Sequence, residues 1–147
     1  MAVFRKIQID FWQDAFILDL PFEEKGFYLY LLTNSKTKQC GIYEISHRVI
    51  ELETGFSQEK IDQMLKKFID SEKIKYDSET REILIMNWTK HNYSKALTVE
   101  TCVKKELASV KSKILKSTFD NIYREYIGTI DTLSKEEKEE EHKKKRK

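Results

Sequence analysis

The chain has 147 residues, 39% apolar and 35% charged with a net charge of +2, enough for one core and a second small lobe. One proline and four glycines leave little room for long irregular loops, so helix should dominate. No apolar run approaches the roughly 20 residues that span a bilayer, and the opening MAVFRKIQID lacks an apolar signal core. Cys40 and Cys102 are too few and too far apart for a disulfide framework or a zinc site, and His47, His91 and His142 show no ligand spacing. The sequence has no nucleotide-binding loop, nucleophile motif or paired carboxylates in a suggestive setting, so the reading is a reduced, cytosolic, non-enzymatic protein without metal or cofactor.

Residues 4–12, FRKIQIDFW, alternate with Ile7, Ile9 and Phe11 on one side, which predicts a short strand serving as an arm, and Trp12 to Leu18 add a helical turn. Asp19 and Pro21 open a helix to about Ser35, with Glu23 and Glu24 where negative charge suits the helix dipole. Its Phe27, Tyr28, Tyr30, Leu31 and Leu32 wrap widely, which predicts burial on more than one side. Gly41 to Ile45 read as a strand, and Ser46 caps a helix from His47 to Glu53 that offers Val49, Ile50 and Leu52 to the core.

Thr54-Gly55-Phe56 is a helix-stopping turn of the kind found in a helix-turn-helix. Ser57 caps the second helix and Phe56 packs toward Ile61; Ile61, Met64, Leu65, Phe68 and Ile69 then form one apolar stripe. Ile74 and Tyr76 alternate with Lys75, and Ile83 and Ile85 with Glu82 and Leu84, around the turn formers Asp77, Ser78, Glu79 and Thr80. The predicted fold is mainly α with a small β-sheet: a winged helix-turn-helix with an N-terminal strand or arm and additional C-terminal helices, its domain closing near residue 92.

Residues 1–88 carry 12 basic and 15 acidic side chains, net −3, whereas residues 89–116 carry seven lysines against Glu100 and Glu106, net +5. Val99, Val103, Leu107, Val110 and Ile114, then Leu115, Phe119, Ile122, Tyr123, Tyr126 and Ile127, keep roughly helical spacing. This predicts a basic helical extension over 93–128, as one broken helix or two short ones, packing on the winged helix or on a second copy. Residues 129–147 lack a core-forming pattern and read as a charged tail, frayed or disordered, ending in five basic residues.

In a helix-turn-helix the second helix meets base edges while lysines meet phosphates. Gln58, Lys60 and Gln63 are candidate base readers, Lys66 and Lys67 suit the backbone, and Ser46 and Arg48 anchor the first helix. Arg81 on the wing and Lys104, Lys105, Lys111 and Lys113 in the extension complete the DNA-binding candidates. Glu59, Asp62 and an acidic wing tip oppose them, a deficit that a dimer or the basic extension could make up. The competing reading is a protein-interaction module that uses Phe4, Phe11 and Trp12 with Phe119, Tyr123 and Tyr126. A transcriptional repressor is a third, because one fold serves many functions.

The runs FWQDAFILDLPFEEKGFYLYLLTNSKTKQCGIYEIS, TGFSQEKIDQML, KIKYDSETREILIMNW and HNYSKALTVETCVKKELASVKS resemble the amino-terminal region of replisome organisers from phages and mobile elements of Gram-positive bacteria, related to the DnaD-like primosome proteins. The resemblance covers about Ile7 to Ile127. It implies a self-associating winged helix, dimeric or larger, in the bacterial host cytoplasm, that binds double-stranded origin DNA and helps recruit the host helicase loader and helicase without enzymatic activity. Such proteins often continue into a further carboxy-terminal domain, whereas this chain ends in its lysine and glutamate tail, as a naturally short form or a fragment. A short form is expected to capture the host helicase loader and arrest host replication.

Overall fold

The structure, a computed structural model, describes residues 3–88, 92 and 96–125. Tyr126, His91, His142 and the 129–147 tail lie outside the described residues. The fold is mainly helical with a small antiparallel sheet: α1 (Ala15–Leu18), α2 (Phe22–Thr33), β1 (Ile42–Glu44), α3 (His47–Thr54), α4 (Gln58–Asp70), β2 (Ile74–Asp77), β3 (Glu82–Ile85), α5 (Leu97–Ala108) and a helix α6 over 113–125. The sheet order is β1-β3-β2, so β1 is the third strand beside the hairpin.

Local chemistry accounts for the element ends. Ser46 accepts from the Val49 N–H at 3.2 Å and Ser57 from the Lys60 N–H at 3.2 Å, each relieving a free donor in the first turn. Gly55 closes α3 in the left-handed region at φ 75°, and its N–H donates to Glu51. Asp14 caps α1 by accepting from the Phe16 and Ile17 N–H groups.

One core cluster lies between the sheet and α1–α4. Phe68 is fully buried, its ring 5.8 Å from Phe16, 5.9 Å from Phe27 and 5.4 Å from Tyr28, beside Ile50, Ile61, Met64, Leu65, Ile83 and Ile85. A second cluster covers the opposite face of the sheet, where Ile42, Leu84 and Cys40 meet Leu115 and Phe119, with Val103, Leu107, Val110, Ile122 and Tyr123 around them. The extension therefore packs on the sheet, and it does so as two helices separated at 109–112.

Several expectations are corrected. Residues 4–12 form no strand: Ile9–Gln13 is a 3₁₀ turn, and the alternation of Ile7, Ile9 and Phe11 buries only part of Phe11 because no strand lies alongside. The arm is held instead by Arg5, whose guanidinium donates to Thr37 Oγ1 at 3.0 Å, Thr37 O at 2.9 Å and Gln39 Oε1 at 3.2 Å. Leu52 (67% exposed) and Ile69 (40%) face outward, since each falls at the edge of its helix's apolar face near the C-terminal end. Strand β3 does not alternate in burial: Glu82, Ile83, Leu84 and Ile85 are all buried because helices cover both faces of the central strand.

Gly41 sits at φ 81° against Trp88, where a Cβ would fall 2.5 Å from the indole Cγ; Gly55 at φ 75° has open space around it. Gly55→Ala is expected to cost about 1 kcal/mol for the left-handed backbone, and Gly41→Ala about 3 kcal/mol once overpacking is added. Urea unfolding of the two variants measures the difference, and equal costs would show that Trp88 yields freely.

Candidate nucleic-acid interface

Helix α4 presents three lysines on its outer faces, and each meets a carboxylate. Lys60 pairs with Glu23, Lys67 with Glu24 at 2.6 Å, and Lys66 with Asp70 at 2.8 Å one turn along. Glu23 and Glu24, placed by sequence at the start of α2 to suit its dipole, thus also neutralise the helix packed beside them. Gln58, a candidate base reader, donates its amide to Glu51 at 2.9 Å. This hydrogen bond, and secondarily Arg48, holds the Glu51 carboxyl below the usual range. Arg48 lies 3.5 Å from Glu51, and Asp62 lies 3.4 Å from His47. Ser46 spends its hydroxyl on the α3 cap. Gln63 is exposed, without a hydrogen-bond partner among the described residues.

Exposed pairs of this kind contribute roughly 0–1 kcal/mol each, so they do not lock the lysines. They do mean that a phosphate must compete with a resident carboxylate, which weakens the gain from releasing counterions. Arg81, Lys104, Lys105 and Lys113 are exposed and have no carboxylate partner among the described residues. The structure therefore separates the twelve candidates by electrostatic state, a division that depends on which chain segments lie opposite.

The sheet and the extension meet through a row of carboxylates that sequence reading missed. Glu44, Glu82 and Asp77 stand in register across the three strands, Glu44 opposite Glu82 and Asp77 opposite Glu82. All three contact the entrance of α6. Glu82, 5% exposed, accepts from the Ser112 N–H at 2.7 Å and the Lys111 N–H at 3.1 Å. Ser112 donates its hydroxyl to Asp77 at 2.6 Å and accepts from the Leu115 N–H at 3.2 Å, which makes it the cap of α6. Lys111 Nζ lies 3.2 Å from Glu44. The free N–H groups at a helix start carry partial positive charge, so carboxylates placed there are stabilised. The one available sequence signal was Asp77 and Glu82 flanking the hairpin turn; nothing local pointed to residues 111–112.

This docking brings two candidates close in backbone only: Arg81 precedes Glu82 and Lys113 follows Ser112, which are joined at 2.7 Å, while the Arg81 charge acts on the Tyr76 hydroxyl, whose ring lies against His47. Arg81 adopts φ 57°, and its carbonyl accepts from Ile45 N–H at 3.0 Å, which holds the end of the hairpin against β1. Lys104 and Lys105 lie on α5, where the neighbouring Glu106 is spent on the backbone N–H groups of Gln39 and Cys40, each at 3.2 Å.

The candidate partner-binding aromatics also divide. Phe4 is 73% exposed and Trp12 43% exposed, Trp12 stacking on the exposed Phe22 with 7° between the rings. Phe11 is half-buried against Tyr28. Phe119, at 4% exposure, is core rather than surface because its face of α6 covers the sheet, and Tyr123 stacks on it. Tyr126 lies outside the described residues.

Asp77 titrates below its ordinary value of 3.8, chiefly because the Ser112 hydroxyl donates to it, with the Thr80 and Glu79 N–H groups adding and partial burial opposing. A depressed carboxylate contributes stability above its ordinary value and loses it as pH falls through the lower folded value. Ser112→Ala is expected to return the Asp77 titration toward 3.8, followed by carboxyl NMR, and to cost roughly 1 kcal/mol through the lost cap. An unmoved Asp77 titration would remove the hydroxyl as its cause.

Among the described residues no helix is long and apolar enough to cross a membrane. Set against protein-family models, curated proteins and solved structures, the chain finds no match.

Proposed function

We propose that the chain is a replication protein of the replisome-organiser kind, a winged helix without enzymatic activity that binds duplex origin DNA and recruits the host helicase loader and helicase. The observation that supports this reading is the docking of a basic helical extension against the hairpin through the Glu82–Ser112 bond, with Arg81 and Lys113, next to that bond in the chain, exposed and without a carboxylate partner among the described residues. The element order supports it too, with two helices joined at Gly55 and followed by a hairpin. In this reading Arg81 and the extension carry the phosphate contacts. Helix α4, whose lysines are already matched by carboxylates, contributes shape and the exposed amide of Gln63 rather than charge.

A second reading keeps the partner and drops the DNA: an interaction module that captures the host helicase loader and inhibits host replication. Its support is the apolar arm surface, where Ile9 is 94% exposed and Phe22 77% exposed beside Trp12. The replication terms and the bacterial host setting of both readings come from the resemblance in the sequence.

Duplex binding across a salt series discriminates them. The pair Arg81→Ala and Lys113→Ala is expected to weaken binding about tenfold and to flatten the dependence of log affinity on log salt by about 0.9 for each phosphate no longer neutralised. Replacing Lys60, Lys66 and Lys67 with alanine is expected to do less, although three charges are removed. The reverse ranking would return the DNA-binding face to α4, and no measurable duplex binding by the parent chain would leave only the interaction module.

A further inference from the structure

Beneath the arm lies a cleft of about 500 Å³, bounded by residues 5–14 on one side and by the body of the domain on the other. This is the size range of sites that enclose a ligand group. Its floor is apolar, formed by Ile17, Tyr28, Ile85 and Trp88, all buried. Its rim carries Arg5, Lys6 and Lys73 against Asp10 and Asp14, with the amides of Asn87 and Asn92. Asp14 is already spent on the α1 cap. Arg5 bonds only to neutral groups of Thr37 and Gln39, and neither Lys6 nor Lys73 has a carboxylate partner among the described residues. The cleft thus combines an apolar floor with Lys6 and Lys73, which have no carboxylate partner among the described residues, and with one exposed carboxylate, Asp10, on the arm side of the rim.

The ring geometry decides what such a site accepts. Phe11 stacks on Tyr28 with 10° between planes, Lys73 Nζ stands 4.8 Å over Phe16, and the Arg5 guanidinium stands 5.4 Å over Trp88. These ring faces are engaged, so a nucleobase has little to stack on, whereas an aliphatic or aromatic side chain can seat edgewise on the floor. The wall of the cleft is a segment outside helix and strand in which Lys6 and Ile7 use neither backbone N–H nor C=O in a hydrogen bond among the described residues. Such a segment offers main-chain partners to another extended chain.

We propose that this cleft is a docking site for an extended, acidic peptide segment of a partner protein. One apolar side chain rests on Tyr28, Ile85 and Trp88, and flanking carboxylates face Lys6 and Lys73. The site gives chemistry to the partner-recruiting half of the proposed function and rests on that half alone, so it stands or falls apart from the DNA-binding half.

The test displays a random peptide library against the full chain and against Lys73→Glu and Lys6→Glu variants, with duplex affinity measured on the same proteins. The expected yield is peptides with an apolar residue flanked by Asp or Glu. Their affinity should drop about tenfold in either variant and recover in part when the flanking acids are changed to lysines. The chain holds two tryptophans. In NMR, a recovered peptide should shift the indole N–H of Trp88, on the cleft floor, in a saturable way, with the signal assigned from the Trp12→Phe spectrum. No enrichment, recovered peptides indifferent to both charge reversals, or a Trp88 signal that moves with single-stranded oligonucleotide instead of peptide would each overturn the proposal. Unchanged duplex binding alongside abolished peptide binding separates this site from Arg81 and Lys113; failure of duplex binding alone leaves it standing.

Discussion

Strand β3 (Glu82–Ile85) is buried along its whole length, and the packing of every helix around the sheet answers to it. It is the middle strand of three, and helices cover it on both sides, so Ile83 and Ile85 join the core of α1–α4 while Leu84 joins the core under α5 and α6. A strand enclosed in this way has no solvent face on which to leave a charge, yet its first residue is Glu82. The carboxylate is tolerated because two N–H groups at the start of α6 point at it. Breaking one partner of such an arrangement leaves the other buried and unmatched, so hairpin and extension are tied more firmly than by apolar contact alone.

That tie shapes the electrostatics of the whole surface. Carboxylates of the outer strands are turned toward α6: Asp77 toward Ser112 and Glu44 toward Lys111. Glu106 is likewise consumed by the Gln39 and Cys40 N–H groups. On this side Lys104, Lys105 and Lys113 remain exposed without a carboxylate partner among the described residues, beside the exposed Glu79 and Asp120, whereas each of the three lysines of α4 is matched. A formal count of charges along the chain does not reveal this, because it weights a carboxylate bonded to a helix start the same as one in free solution.

The arm follows a different logic. Its sequence alternates as a strand does, but alternation needs a neighbouring strand to become a ladder, and none lies beside residues 4–12. Arg5 instead pins the segment to the loop after α2 and leaves a cleft beneath it. The aromatic residues sort by the same principle of what lies opposite. Trp12 and Phe22 stack on one another at the surface, while Phe119, equally aromatic and equally helical in its spacing, is enclosed by the sheet.

The parts whose causes are local could be read directly from the chain. The caps at Ser46 and Ser57, the left-handed stop at Gly55, the stripe from Ile61 to Phe68 and the hairpin around Asp77 to Thr80 are all dictated by residues within a turn or two of each other. From these came the mainly helical fold with its small sheet, and the existence of a packed extension. The pairing of Lys60 and Lys67 with Glu23 and Glu24, the carboxylate row that receives Ser112, and the cleft under Arg5 emerge only once the chain is folded. Each of these joins residues about thirty or more positions apart, and no periodicity encodes such a meeting. A side chain's charge is written in the sequence, but whether that charge is free to act depends on the segment folded against it.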